Sequence, residues 1–231
     1  MRRLLLILGC FASLACLAPN IAKAQSGGSA SPATTSPDTS RSVDGIAARI
    51  EDDILTESEL RELAAFQELV DGHAKPRADL IRELGDQWIV NGEAQAAKYP
   101  KPSQDDVDRA YALLVARFPS QESLGNRCAA VGLTESEIRR MLAKQLYLSR
   151  FLDYRFRPAA QVDQKQIESY YDGEFVPQMK SRGQPVPPLD EVEDTIREVL
   201  VQRAISDLAT QWLDETRARL KIDVMLEGDR P

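Results

Sequence analysis

The sequence predicts a mainly α fold: a set of helices closed by a small β-sheet that an N-terminal hairpin and a C-terminal strand build together. Three observations carry this. Apolar residues recur at helical spacing through most of 56–217. Two capping boxes, Thr56 with Glu59 and Thr134 with Glu137, mark helix starts. Strict alternation appears only near the two ends, at Ile46, Ala48 and Ile50 and again over 221–225.

The elements follow in order. Ile46, Ala48 and Ile50 read as a half-buried strand, Glu51-Asp52-Asp53 as a tight turn, and Ile54-Leu55 as the returning strand. A first helix starts at Thr56, carries Leu60, Leu63, Ala64, Gln67 and Val70, and stops at Asp71-Gly72. Pro76 opens a second from the first-turn position; Leu80, Ile81, Leu84, Trp88 and Ile89 share one face until Pro100 and Pro102 break it. Ser103 and Asp106 start a third with Val107, Ala110, Tyr111, Leu114 and Phe118. A short helix over 120–131 closes at Gly132. A long one from Thr134 carries Ile138, Met141, Leu142, Leu146, Leu148 and Leu152 and ends before Pro158. Ile167, Tyr170, Tyr171 and Phe175 form the stripe of a further segment, with one of the two tyrosines expected buried and the other exposed. Residues 176–188 hold four Pro and one Gly, which predicts an exposed non-helical connection. The last helix starts at Pro188-Leu189-Asp190 and runs through Trp212-Leu213. The N-terminal hairpin lacks a third strand and the C-terminal strand lacks a sheet, so pairing them satisfies both.

Composition narrows the function classes. The chain has 231 residues and a net charge of −7. Residues 1–24 have a signal-peptide layout: Arg2 and Arg3, an apolar run from Leu4 to about Ala18, then Ala22-Lys23-Ala24. Their removal takes away three of the 29 basic residues and none of the 36 acidic ones, leaving −10. Such a chain is repelled by nucleic acid and by anionic membranes. The expected location is the periplasm. Lipidation at Cys16 is the weaker alternative, because Ser13-Leu14-Ala15 lacks a Leu three residues before it. Residues 25–42 carry almost no large apolar side chain and are expected to be a disordered linker. The remainder divides into a helical core over 43–158 and a segment over 159–231 that packs back on it. Cys128 is the one thiol left after cleavage and reads as a small core residue; His73, between Gly72 and Pro76, reads as an exposed turn residue. Trp88 and Trp212 read as core. No nucleotide, metal or hydrolase motif is present, and no cofactor is expected.

The order of elements resembles the SurA-type periplasmic chaperones. Val43-Asp44-Gly45-Ile46-Ala47-Ala48-Arg49-Ile50, the acidic turn and Ile54-Leu55-Thr56-Glu57-Ser58-Glu59-Leu60 are similar to that family's opening hairpin and first helix. Leu84, Asp86, Gln87 and Ile89 fit its second helix, with Gly85 where the family usually has a bulky apolar residue. The segments 102–110 and 133–157 resemble its third and fourth helices, and Pro188-Leu189-Asp190-Glu191-Val192, Trp212-Leu213, Arg217-Ala218 and Ile222-Val224 its closing helix and strand. The family carries one or two parvulin prolyl-isomerase domains, each about a hundred residues, where this chain has only its Pro-rich connection. The resemblance therefore implies a helical chaperone module without isomerase activity. Its partners would be unfolded exported or outer-membrane proteins, held without ATP. The alternative is a dedicated binding or assembly subunit for one folded envelope partner. An enzyme is disfavoured. The candidate client-contact residues are Tyr111, Phe118, Met141, Tyr147, Phe151, Tyr154 and Phe156, each of which is either lining or core, since an aromatic at helical spacing more often packs inside.

Overall fold

The computed structural model describes residues 44–225. The expected signal peptide and linker lie outside the described residues.

The β-branched and apolar residues of Ile46–Ile50 form β1, which returns through Glu51-Asp52 into β2 (Asp53–Thr56). Glu51 takes the left-handed conformation the short turn requires, at φ 51°. The third strand is C-terminal: β3 (Ile222–Val224) lies antiparallel to β1 on its other side, giving the order β2-β1-β3. The Glu51 N–H donates to the Lys221 carbonyl (3.0 Å), the Lys221 N–H to the Glu51 carboxylate (2.7 Å), and the Met225 N–H to the Ala47 carbonyl (3.0 Å). Orphaned strand edges at the two ends of the folded part thus satisfy each other, as expected. The register between β1 and β2 slips by one residue around Ala47, a bulge, and Ala47 and Ala48 are both fully buried.

The helices start where local hydrogen bonding favours them. Thr56 and Glu59 cap α1 (Glu57–Asp71), and Gly72 ends it at φ 79°. Helix α2 (Arg77–Ala96) follows Pro76, which occupies the capping position one residue ahead of the first helical turn. Ser103 and Asp106 cap α3 (Gln104–Val115), leaving Phe118 beyond the helix. Ser120 caps α4 (Gln121–Val131), and Thr134 with Glu137 caps α5 (Glu135–Phe156). A single 3₁₀ turn (Arg157–Ala159) leads to α6 (Gln164–Tyr170), capped by Asp163 and Gln166.

The next stretch departs from expectation. Helix α6 continues through one π turn (Tyr171–Phe175) into α7 (Val176–Ser181), so helix persists across Pro177. The π turn explains how. The Val176 N–H reaches the Tyr171 carbonyl five residues back. This widening opens the helix just ahead of Pro177, whose ring would otherwise meet the preceding turn and whose missing N–H falls at the register change. Only 182–188 form the connection, fastened by the Tyr171 hydroxyl, which donates to the Pro187 carbonyl at 2.7 Å. Tyr170 and Tyr171 are both half-buried, correcting the expected one-in, one-out arrangement. Tyr170 lies under the Arg203 guanidinium (4.7 Å), and Tyr171 stacks on Phe175 (5.7 Å).

Helix α8 (Leu189–Arg217) runs back along α6, α5 and α2 to deliver β3 to the sheet. Three apolar clusters hold the assembly. The sheet face (Ala48, Ile50, Leu55) packs on Leu60 and Leu63 of α1 and Leu80, Ile81 and Leu84 of α2. Ile50 reaches Gly85, its Cδ1 3.5 Å from where a Cβ would stand, so it occupies the space a bulky residue at 85 would claim. A second cluster joins Phe66 and Leu69 of α1, Leu114 of α3, Leu124 of α4 and Ile138 of α5. The third joins α2, α5 and α8 through Ile89, Val90, Tyr147, Leu148, Phe151, Ala209 and Leu213. Buried Gln67 is satisfied: its side chain donates to Glu83 (3.0 Å) and accepts from the Lys75 N–H (3.0 Å). Trp88 and Trp212 are half-buried against the clusters.

Past the end of α2, Lys98 is left-handed at φ 52°, a conformation that is strained with a Cβ present. Lys98→Gly is expected to raise stability by about 0.5–1 kcal/mol, after the loss from greater unfolded-state entropy. Thermal unfolding checks it; a lower melting temperature would show that the Lys98 side chain contributes more than the strain costs.

Candidate functional site

The seven residues expected at a common lining do not share one. Tyr147 and Phe151 are core, at 7% and 2% exposure, because they sit on the α5 face that α2 and α8 cover. Both are withdrawn as client contacts. Tyr111, Phe118 and Met141 are half-buried against the α1–α3–α4–α5 cluster. The Arg139 guanidinium lies over the Tyr111 ring (4.2 Å), and burial, followed by the Glu135 carboxylate, raises the Tyr111 phenol above its ordinary pKa. Thirteen residues of α5, about 20 Å, separate Met141 from Tyr154. Phe156 is half-buried beside Trp212 (5.8 Å), with Arg155 over the Trp212 ring (4.8 Å).

Tyr154 alone among the seven is largely exposed, at 64%. It does not stand alone in space. Tyr99, from the segment between α2 and α3, lies 5.3 Å from Tyr154, 5.6 Å from Phe151 and 6.0 Å from Tyr147 between ring centres. Its hydroxyl donates to the Arg150 carbonyl at 3.2 Å. These contacts wall an open, mainly apolar groove of about 650 Å³, lined by Tyr99, Ser149, Arg150, Asp153, Tyr154, Arg157 and Pro158. Tyr99 has no place in any helical stripe, so periodicity did not single it out. An aromatic set between Lys98 and Pro100 just after a helix was the available signal.

The charges that line the groove are already committed. Arg150 grips Asp106 with two bonds of 2.8 Å, which tie α5 to the cap of α3. Arg157 binds Asp153 (2.7 and 2.9 Å) and Glu198 (2.7 and 3.0 Å), joining α5 to α8. The Arg150 guanidinium, then the Ser103 hydroxyl, hold the Asp106 carboxyl far below the usual carboxylate range. Arg157, then Gln202, lower Glu198 to about 2. What these acids add to stability is present at neutral pH and is lost as acid protonates them. The lining itself therefore offers stacking surface rather than free ionic charge.

Other candidates resolve into structural roles. Glu51 and Asp53 serve the turn and the sheet; Asp53 accepts from the Trp88 indole N–H at 2.8 Å. His73 is exposed in the turn after α1. Cys128 is half-buried, and burial pushes its thiol pKa up, away from reactivity. A smaller polar cleft of about 430 Å³ lies at the start of α4, lined by Ser120, Glu122, Ser123, Asn126 and Arg127. Among the described residues no group of three or more His, Cys, Asp or Glu is placed to hold a metal ion, and no helix is long and apolar enough to cross a membrane. No protein-family model matches the chain, and no curated protein matches it.

Proposed function

We propose that this chain is an ATP-independent holdase of the periplasm that shields apolar stretches of unfolded exported or outer-membrane proteins. The observation that carries the reading is the groove at the end of α5: two tyrosine rings, one from α5 and one from the segment after α2, the former largely exposed, with adjacent arginines neutralised by acids of the protein itself. Such a surface stacks on apolar and aromatic segments without demanding a sequence or a charge. The joining of both ends in one sheet agrees with the architecture the resemblance implies. Without ATP, release depends on the client folding, which removes it from the binding equilibrium.

The purified chain is expected to suppress aggregation of a diluted, denatured outer-membrane β-barrel at near-stoichiometric ratios, with no acceleration of proline isomerisation. Tyr154→Ala is expected to weaken client affinity roughly 5- to 30-fold, the range for losing an interface aromatic. It should change stability by no more than about 0.5 kcal/mol. Unchanged affinity in this variant would remove the groove from the mechanism.

A second reading, a subunit for one folded envelope partner, is favoured by how little apolar surface is shown. Among the described residues the large apolar side chains that are exposed are Ile54, Leu113, Tyr154 and Val224. Crosslinking in the periplasm separates the two: many barrel precursors support the holdase, and a single folded protein supports the subunit.

A further inference from the structure

The connection between α7 and α8 is rich in proline and partly exposed. Gln184-Pro185-Val186-Pro187-Pro188 joins the two helices, with Gln184, Pro185 and Pro188 exposed and Val186 and Pro187 half-buried. Pro188 has φ −63° and ψ 155°, polyproline II values, and the Tyr171 hydroxyl holds the preceding carbonyl in place. Preformed segments of this type dock on surfaces walled by aromatic rings, because little chain entropy remains to be lost. The Tyr99–Tyr154 groove is such a surface.

We propose that the 184–188 loop of one molecule docks in the Tyr99–Tyr154 groove of a second copy, a head-to-tail self-association. Charge selects this occupant. Lys98 and Lys101 flank Tyr99, are exposed, and have no ion-pair partner among the described residues. Asp190, Glu191 and Asp194 follow the loop on the first turns of α8; Asp190, Glu191 and Asp194 are likewise exposed and without ion-pair partners among the described residues. Lys180 and Arg182 precede the loop and are exposed too, so the uncommitted acids lie on its α8 side, and that side is complementary to the uncommitted basic pair beside the groove. The contact forms in trans. Arg157 at the groove binds Glu198, nine residues along α8 from Leu189, so about 14 Å of rigid helix separates a molecule's own loop from its own groove. Each copy then has one donor and one acceptor, which generates rings or open chains rather than a symmetric pair. Because the loop fills the groove, self-association and client binding exclude one another.

Sedimentation velocity on the purified chain, without any client, tests the proposal apart from the holdase reading. The wild type is expected to associate as concentration rises and to dissociate as salt screens the lysine–carboxylate attraction. Tyr154→Ala removes the acceptor, and the double variant Pro185→Ser/Val186→Ser removes the donor while sparing the Pro188 cap. Each is expected to be at least about tenfold weaker in association, with unchanged circular dichroism and melting temperature. Their equimolar mixture is expected to form a one-to-one pair that grows no further, since only one loop and one groove remain competent. A wild type that stays monomeric at millimolar concentration, association that survives in either variant alone, or a mixture that does not pair overturns the proposal. So does a groove that takes a free Pro-rich peptide while the wild-type chain remains monomeric.

Discussion

Phe151→Ala is expected to destabilise the fold by about 3–5 kcal/mol, the largest effect of any single truncation proposed for this chain. Phe151 is 2% exposed and lies where α2, α5 and α8 meet, among Ile89, Val90, Leu152, Ala209 and Leu213. The loss combines transfer of the ring to water with a cavity that three helices, braced by ion pairs such as Arg157–Glu198, close only in part. Typical domains are stable by only about 5–15 kcal/mol, so the variant is expected to be partly unfolded at growth temperature. The urea midpoint, at unchanged slope, measures this. Tyr154→Ala, three residues further along α5, is the internal control, with stability nearly unchanged and client affinity weakened. A Phe151 variant losing less than about 1 kcal/mol would mean that the ring faces solvent and belongs to the lining after all.

The second large effect concerns the joint between α2 and the end of α8. Arg217 Nε donates to Asp86 at 2.7 Å, with both side chains 16% exposed. Its other arm binds Asp214 (2.6 Å), which also pairs with Arg82 (3.0 Å). Burial raises the Asp86 carboxyl above its ordinary pKa; the attraction of Arg217 offsets only part of this. Arg217→Met keeps the apolar stem but leaves a mostly buried carboxylate without its hydrogen-bonded cation, with only the attraction of Arg82 remaining. The expected cost is about 2–4 kcal/mol at neutral pH, below the value for a fully dry pair. The sign of the pH dependence follows from the shift. A carboxyl whose folded-state pKa is raised stabilises the fold while protonated, and that stability is lost as pH rises through the folded value. Losing Arg217 raises the Asp86 pKa further, so the variant's deficit is expected to shrink from pH 7 towards about pH 5. Asp86→Asn in the same background is expected to restore most of the loss. A deficit that is independent of pH would show that Asp86 does not carry it. Because β3 begins five residues after Arg217, loosening here also threatens the sheet.

The residues that were read correctly and those that were not differ in the range of the interaction that places them. Thr56–Glu59 and Thr134–Glu137 caps close within three residues and were legible as written. The sheet was legible for another reason: each end of the folded part had strand edges without partners, and only one pairing satisfied both. The helix across Pro177 was not legible, because a count of prolines carries no sign of a π turn that makes room for one of them. Nor was Tyr99, whose neighbours Tyr147, Phe151 and Tyr154 come from a helix about fifty residues away.

The capped helix starts, the acidic charge and the demand that the two ends pair were therefore set by the residue order alone. Their causes are local hydrogen bonds and backbone groups that must find partners. Which aromatic faces water was decided only when α2 and α8 closed over one side of α5. They buried Phe151 and left Tyr154 open, because hydration of a side chain depends on the neighbours that displace water, and those neighbours are distant in the chain.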